Sequence, residues 1–180
     1  MGISQQIGAS SLIKPGVIDN TAARPASPYE GQVIFQKDTN ELLVFDGSAW
    51  VCITPKSAYA SNQITTTTAA YTTLTGDPSV SIQTGTKALV TVAVRHVLAG
   101  SAGYTMTGYA VSGASSIAST DGRSAQNYFG SGDLGNDRAA SFTYMETGLT
   151  PGVNTFQMQH FRGAGTMYVT QRSITVVGVP

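Results

Sequence analysis

From Tyr71 to the C-terminus, apolar residues recur at every second position in short runs, and turns containing Gly or Pro separate the runs. A period of two matches the pleat of a β-strand and cannot form one face of a helix. Residues 88–98 (ALVTVAVRHVL) show it most fully, with Ala88, Val90, Val92 and Val94 on one side. Leu89, Ala93 and Val97 make the other side apolar as well, so this strand is expected at the centre of a sheet, covered on both faces. Val80 and Ile82 alternate with Ser81 and Gln83 just before it. Further strands are read at 104–111, 141–146, 154–161, 166–170 and 173–179, joined by turns such as Gly148-Leu-Thr-Pro-Gly152 and Arg162-Gly-Ala-Gly165. Short strands at this spacing predict an antiparallel β-sandwich or jelly roll over residues 71–180.

Composition supports an all-β chain and removes several functional classes. Thr, Ser and Gly fill 61 of the 180 positions, a usage suited to half-buried strands and tight turns. Charged residues make up 11%, against roughly a quarter in an ordinary soluble protein, and the ten basic and ten acidic side chains cancel. Without a Lys/Arg cluster there is no footprint for neutralising phosphates, so a nucleic-acid partner is not expected. No apolar run reaches the 18 or so residues of a membrane helix, because Arg95 and His96 interrupt the best stretch. The N-terminal residues lack the basic start and apolar core of a secretory signal, and Gln6 stands where a myristoylation pattern needs Ser or Thr. Cys52 is the single cysteine, which leaves no intramolecular disulfide or multi-cysteine zinc site.

The N-terminal third has a different character. Gly8, Pro15, Gly16, Pro25 and Pro28 keep the first thirty residues extended. A small three-stranded meander follows at 32–36, 42–45 and 50–53, with turns at 38–41 and 46–48. It is too poor in apolar residues to stand alone and must pack on the rest of this chain or on another. The chain therefore divides into arm plus meander (1–56), a small-residue linker at 57–70 whose Thr run could form an edge strand, and the sandwich (71–180). The arm residues Ile3, Ile7, Leu12, Ile13, Val17 and Ile18 are apolar for an irregular segment and are candidate partner-binding residues, laid along a neighbouring subunit.

Regularity stops between Ser112 and Ala140, where a long Gly/Ser/Asp-rich stretch suggests a binding loop. Asp121, Arg123, Tyr128, Phe129, Asp133 and Asp137 are its candidate exposed recognition residues. Gly130-Ser-Gly132-Asp-Leu-Gly135 matches the dinucleotide pattern GxGxxG in letters only, because strand-like sequence follows it where a helix is required. Asp121, Asp133, Asn136 and Asp137 do not have EF-hand spacing, and Asx beside Gly is ordinary turn chemistry. His96 and His160 lie in strands and read as satisfied core or interface histidines; there is no GxSxG elbow to pair with either. Cys52 reads as a small buried hydrophobe. Trp50, Tyr29, Phe35 and Phe45 read as the core of the meander rather than a sugar platform. No catalytic, cofactor or metal residue is assigned.

Residues 21–40 (TAARPASPYEGQVIFQKDTN), continuing through Leu42-Leu-Val-Phe-Asp-Gly-Ser-Ala-Trp50, resemble a module of tailed-phage structural proteins. Its skeleton is an Arg-Pro-x-x-Pro lead-in, a Gly-Gln strand, an Asp-Thr turn and a Gly-Ser-x-Trp exit. Residues 148–156 (GLTPGVNTF) and 172–177 (RSITVV) look like the jelly-roll domains of the same class. The resemblance implies a non-enzymatic virion protein, made in the host cytoplasm. The expected role is a homotrimeric capsid decoration (cement) protein whose partners are its own copies and the major capsid protein. A fibre or adhesin whose jelly roll binds host glycan is the alternative; no membrane or nucleic-acid partner is implied.

Overall fold

The computed structural model describes residues 15–180. Among these the protein is all-β, with three 3₁₀ turns of three residues each as its only helical segments. The strands are β1 (Gly16–Ile18), β2 (Val33–Gln36), β3 (Glu41–Phe45), β4 (Trp50–Cys52), β5 (Lys56–Ala60), β6 (Ile64–Thr66) and β7 (Ser79–Thr84). They continue with β8 (Lys87–Ala99), β9 (Gly103–Gly113), β10 (Ser124–Phe129), β11 (Asp137–Thr147), β12 (Gly152–Arg162) and β13 (Thr166–Val179).

The long strands form a jelly-roll-type sandwich. One sheet has the order β10-β9-β12-β7; the other has β11-β8-β13-β5, with β6 also paired to β13. Their inner faces interdigitate through Val80, Ile82, Tyr109, Val111, Phe156 and Met158 from the first sheet and Ala88, Val90, Val92, Ile174 and Val176 from the second. A second cluster fills the other end with Val94, Leu98, Ala125, Phe129, Met167 and Val169. Strand β8 is central, between β11 and β13, as its sequence requires. No described residue covers its outer side, however: Leu89 and Arg95 are both exposed there. Among the described residues only one sheet stacks against it, and its apolar outer side stays open.

The N-terminal meander β2-β3-β4 packs on this same chain. Ile34, Leu43, Trp50 and Cys52 join the main core cluster, and Phe45 tilts against Trp50 at 5.5 Å between ring centroids. Strand β4 lies directly on β13: a Cβ at Gly178 would come within 2.6 Å of the Cys52 carbonyl, so only glycine permits this approach. Cys52 is buried, and that burial pushes its thiol pKa up. Tyr29 departs from the expected aromatic core. It is 69% exposed, because it lies in the turn before β2 rather than in a strand facing the sandwich.

Three further expectations change. The stretch 57–70 is not a free linker, since β5 and β6 pair antiparallel with β13 and complete its sheet. Small, aperiodic Ser/Ala/Thr residues suffice there because an edge strand gains most from backbone pairing. The arm pairs with its own chain: β1 runs parallel to β2, with Val17 beside Phe35, and Ile18 packs against the core. Val17 remains 60% exposed, while Ile3, Ile7, Leu12 and Ile13 lie outside the described residues. Finally, 166–179 is one strand with an irregularity between Thr170 and Ser173, not two strands.

Candidate functional site

The interval 112–140 is more regular than its composition suggests. Residues 124–129 form β10, whose Ala125 and Phe129 face the core while Gln126 and Tyr128 point outward. That alternation was legible in SAQNYF but obscured by the Gly-rich flanks. Its register on β9 sets Tyr128 opposite Tyr104, Gln126 opposite Met106, and Ser124 opposite Gly108. On the other side of β9, Phe161 lies opposite Met106 and Gln159 opposite Gly108. Thr105, Thr107 and Tyr109 are buried on the inner face, so Tyr104, Met106 and Gly108 belong to the outer one.

An aromatic strip results on the outer face of this sheet. The Tyr104 and Tyr128 rings lie 4.9 Å apart and tilted, and each residue is about half exposed, at 51% and 53%. Tyr71 stands against Phe161 at 5.6 Å, its hydroxyl over the Met106 sulfur. That hydroxyl donates to Asp121 Oδ1 at 3.1 Å. Burial, with the Asp121 carboxylate also contributing, pushes the Tyr71 pKa up to about 12, so the phenol keeps its proton and remains a donor. The Gln126 amide donates to the Asp121 carbonyl at 2.7 Å and to Ser124 Oγ. Gly108 leaves the space for this arrangement, since a Cβ there would meet the Arg123 carbonyl at 2.7 Å.

The six residues expected in one exposed loop therefore separate. Asp121 and Tyr128 share the strip. Arg123 turns inward instead, donating to Glu146 at 2.9 Å and to the Ala118 carbonyl, while the Tyr109 hydroxyl donates to the same carboxylate. Phe129 is fully buried, beneath the Arg138 guanidinium 5.1 Å from its ring centroid. An alternating strand puts adjacent residues on opposite faces, so Tyr128 and Phe129 could not both be exposed. Asp133 pairs with Arg138 and Asp137 with Arg95, each ion pair partly exposed and of small energetic weight. The GxGxxG letters form a 3₁₀ turn between two strands. Tyr104, Tyr71 and Phe161 were missed; Tyr104 and Phe161 signalled themselves only by outward parity on strands already identified, and Tyr71 lies outside any strand.

A second polar constellation lies inside the sandwich. Asp77 Oδ1 accepts from His160 Nε2 and from Arg172 Nε, each at 2.9 Å. His160 Nδ1 lies 2.8 Å from Thr107 Oγ, which lies 2.7 Å from His96 Nε2. His96 Nδ1 faces Thr105 Oγ and the Asn127 amide. The Thr107 hydroxyl bridges the two imidazoles, donating to one ring nitrogen and accepting from the other, so each histidine nitrogen has a hydrogen-bond partner. Burial, with His160 as a lesser cause, lowers the His96 pKa to about 3. Although acid, imidazole and hydroxyl follow one another as in a nucleophilic triad, Thr107 and both histidines are fully buried. No substrate reaches this hydroxyl. Both histidines are thus satisfied core residues.

No protein-family model matches the chain, and no curated protein does. Solved structures with a similar fold include a chain of the infectious bursal disease virus Gx strain, 11% identical over 71% of this chain at a TM-score of 0.45. This protein spans only 32% of that viral chain. Eiger TNF from S. frugiperda is similar at 11% identity and a TM-score of 0.45, over 70% of this chain and 93% of its own. A xylan-binding domain from Paenibacillus barcinonensis is similar at 9% identity and a TM-score of 0.32, over 70% of this chain and 83% of its own. The all-β jelly-roll sandwich is read from the two packed sheets themselves.

Proposed function

We propose that this chain is a non-enzymatic structural protein of a tailed-phage virion, a homotrimeric capsid decoration protein that attaches through its N-terminal segment. The observation that carries this reading is the open outer face of the β11-β8-β13-β5 sheet. Across it run Met145, Leu89 and Val177, then Thr143, Thr91, Thr175 and Ser57, then Ser141, Ala93, Ser173 and Tyr59. Cross-strand hydroxyl bonds join Thr91 to Thr143 and Thr175 to Ser57, each at 3.0 Å. No charged side chain falls in these three rows; the adjoining rows carry the Arg95–Asp137 pair at one end and the exposed Lys87 at the other. A flat, charge-poor face of small and apolar side chains suits burial against a second copy, and a closed symmetric assembly would cover it.

The N-terminal segment supports the attachment half of the reading. Strand β1 pairs on β2 as the edge strand of the meander sheet and leaves Val17 outward. The same geometry serves a fibre, which would differ only in what that edge touches. Light scattering tests the trimer: three times 18.7 kDa is expected at micromolar concentration, and a stable monomer would refute it. Locating the chain on the particle by electron cryomicroscopy tests decoration against fibre.

A further inference from the structure

We infer that the aromatic strip of Tyr104, Tyr128, Tyr71 and Asp121 is a binding site for a neutral saccharide. The inference is independent of where in the particle the chain sits, because it rests on the sheet opposite to the proposed trimer face.

A sugar ring offers an apolar C–H face and an equatorial rim of hydroxyls, so its receptor needs an exposed aromatic face beside unspent hydrogen-bonding atoms. The strip supplies both. Tyr104 and Tyr128 present half-exposed rings on directly paired residues, held by β-ladder hydrogen bonds rather than by a mobile loop. Neither phenol hydroxyl has a hydrogen-bond partner among the described residues, and Asp121 commits only Oδ1 and its carbonyl, leaving Oδ2 free to accept. Gln126 uses its amide nitrogen internally and turns its oxygen to solvent. Residues two apart on β10 are about 7 Å apart. The distance from the tyrosine pair past Gln126 to Asp121 therefore spans more than one sugar ring, which fits an oligosaccharide laid along β10.

Charge decides the ligand class. The described arginines beside the strip are committed elsewhere: Arg123 to Glu146 inside the sandwich, Arg138 to Asp133, the Tyr128 carbonyl and the Phe129 ring, and Arg162 to the Thr67 carbonyl. With the Asp121 carboxylate in the strip and no uncommitted arginine beside it among the described residues, the strip would repel sulfated, phosphorylated or sialylated ligands and accept hydroxyl donors. Glycine lets the chain pass close to the platform: a side chain at Gly163 would meet the Tyr104 backbone nitrogen at 3.2 Å.

The test uses the full chain and four neutral probes, cellohexaose, xylohexaose, laminarihexaose and mannohexaose, with a sulfated oligosaccharide as the charged comparison, read by calorimetry and by NMR of the tyrosine rings. At least one neutral probe should bind, and the sulfated one should not. Tyr104→Ala and Tyr128→Ala should each weaken binding about tenfold, as loss of one stacking ring would. Tyr104→Phe, which keeps the ring and the fold, should retain it within about threefold, a loss worth less than one hydrogen bond. Asp121→Asn should weaken it, and Tyr29→Ala, at an exposed residue in the turn before β2, should leave it unchanged. No binding of any neutral probe, or preferential binding of the sulfated one, would overturn the assignment. So would dissociation of the oligomer on Tyr128→Ala without sugar binding in the wild type, since the strip would then be a subunit contact. Failure of the trimer reading alone, with sugar still bound, leaves this inference standing.

Discussion

Arg172 and Asp77 form an ion pair 2.9 Å long in which neither side chain has any solvent exposure. The irregularity of β13 makes this possible. Gln171 adopts a left-handed φ of 44°, and the extra residue swings Arg172 into the sandwich. Its guanidinium then also donates to the carbonyls of Asn62 and Gly76, fastening the β5–β6 and β6–β7 connections onto the core.

Breaking this pair from one side leaves a buried charge uncompensated, which costs about 3–5 kcal/mol. Arg172→Met should therefore lower the urea midpoint strongly. Because the pair holds two connections, proteolysis near Asn62 and Gly76 should also become fast. A midpoint within the error of the wild type would show that the pair does not organise this end of the fold.

Acid should destabilise the protein through His96. Its folded pKa of about 3 lies below the value of 6.5 it regains on unfolding. The unfolded state therefore binds the extra proton first, and stability present above pH 6.5 falls as pH drops towards 3. The slope for one such group is about 1.4 kcal/mol per pH unit in that window. Urea titrations at pH 7.5, 6 and 5 measure it; a flat response between 6.5 and 5 would contradict the buried, neutral imidazole.

Gly178→Ala should loosen the meander from the sandwich, since the new methyl would meet the Cys52 carbonyl at 2.6 Å and neighbouring Val51 at 2.7 Å. A loss of about 1–3 kcal/mol is expected from such overpacking. Trp50, the sole tryptophan and a buried one, reports the event directly. Acrylamide quenching of its fluorescence should rise in the variant, and unchanged quenching would mean that β4 tolerates the shift.

The open sheet face gives the trimer a mutational test. Leu89→Lys with Met145→Lys places two cations on directly paired residues of adjacent strands. Both sites are already partly exposed, so the monomer should remain folded by circular dichroism while the assembly dissociates. A trimer of unchanged stability would place the subunit contact elsewhere.

Residue periodicity by itself determined that this chain is all-β, where most long strands run, and that His96, His160 and Cys52 are buried. Each of those properties follows from local alternation and from the cost of exposing apolar surface. Tertiary structure decided the rest. Ser57 and Ala58 carry no strand signal of their own and become strand residues because β13 offers them an unpaired edge, whereas the Thr run at 65–68 had already suggested the edge strand that β6 forms in part. Val17 and Ile18 were equally suited to a neighbouring subunit or to β2, and the register Val17 with Phe35 is a choice between backbones that side-chain pattern does not encode. Tyr128 and Phe129 are adjacent aromatics in the sequence, yet one lies half exposed beside Tyr104 and the other fully buried. Which of them faced solvent depended on the register of β10 against β9, a relation between segments about twenty residues apart, and a slip of one position would have exchanged them.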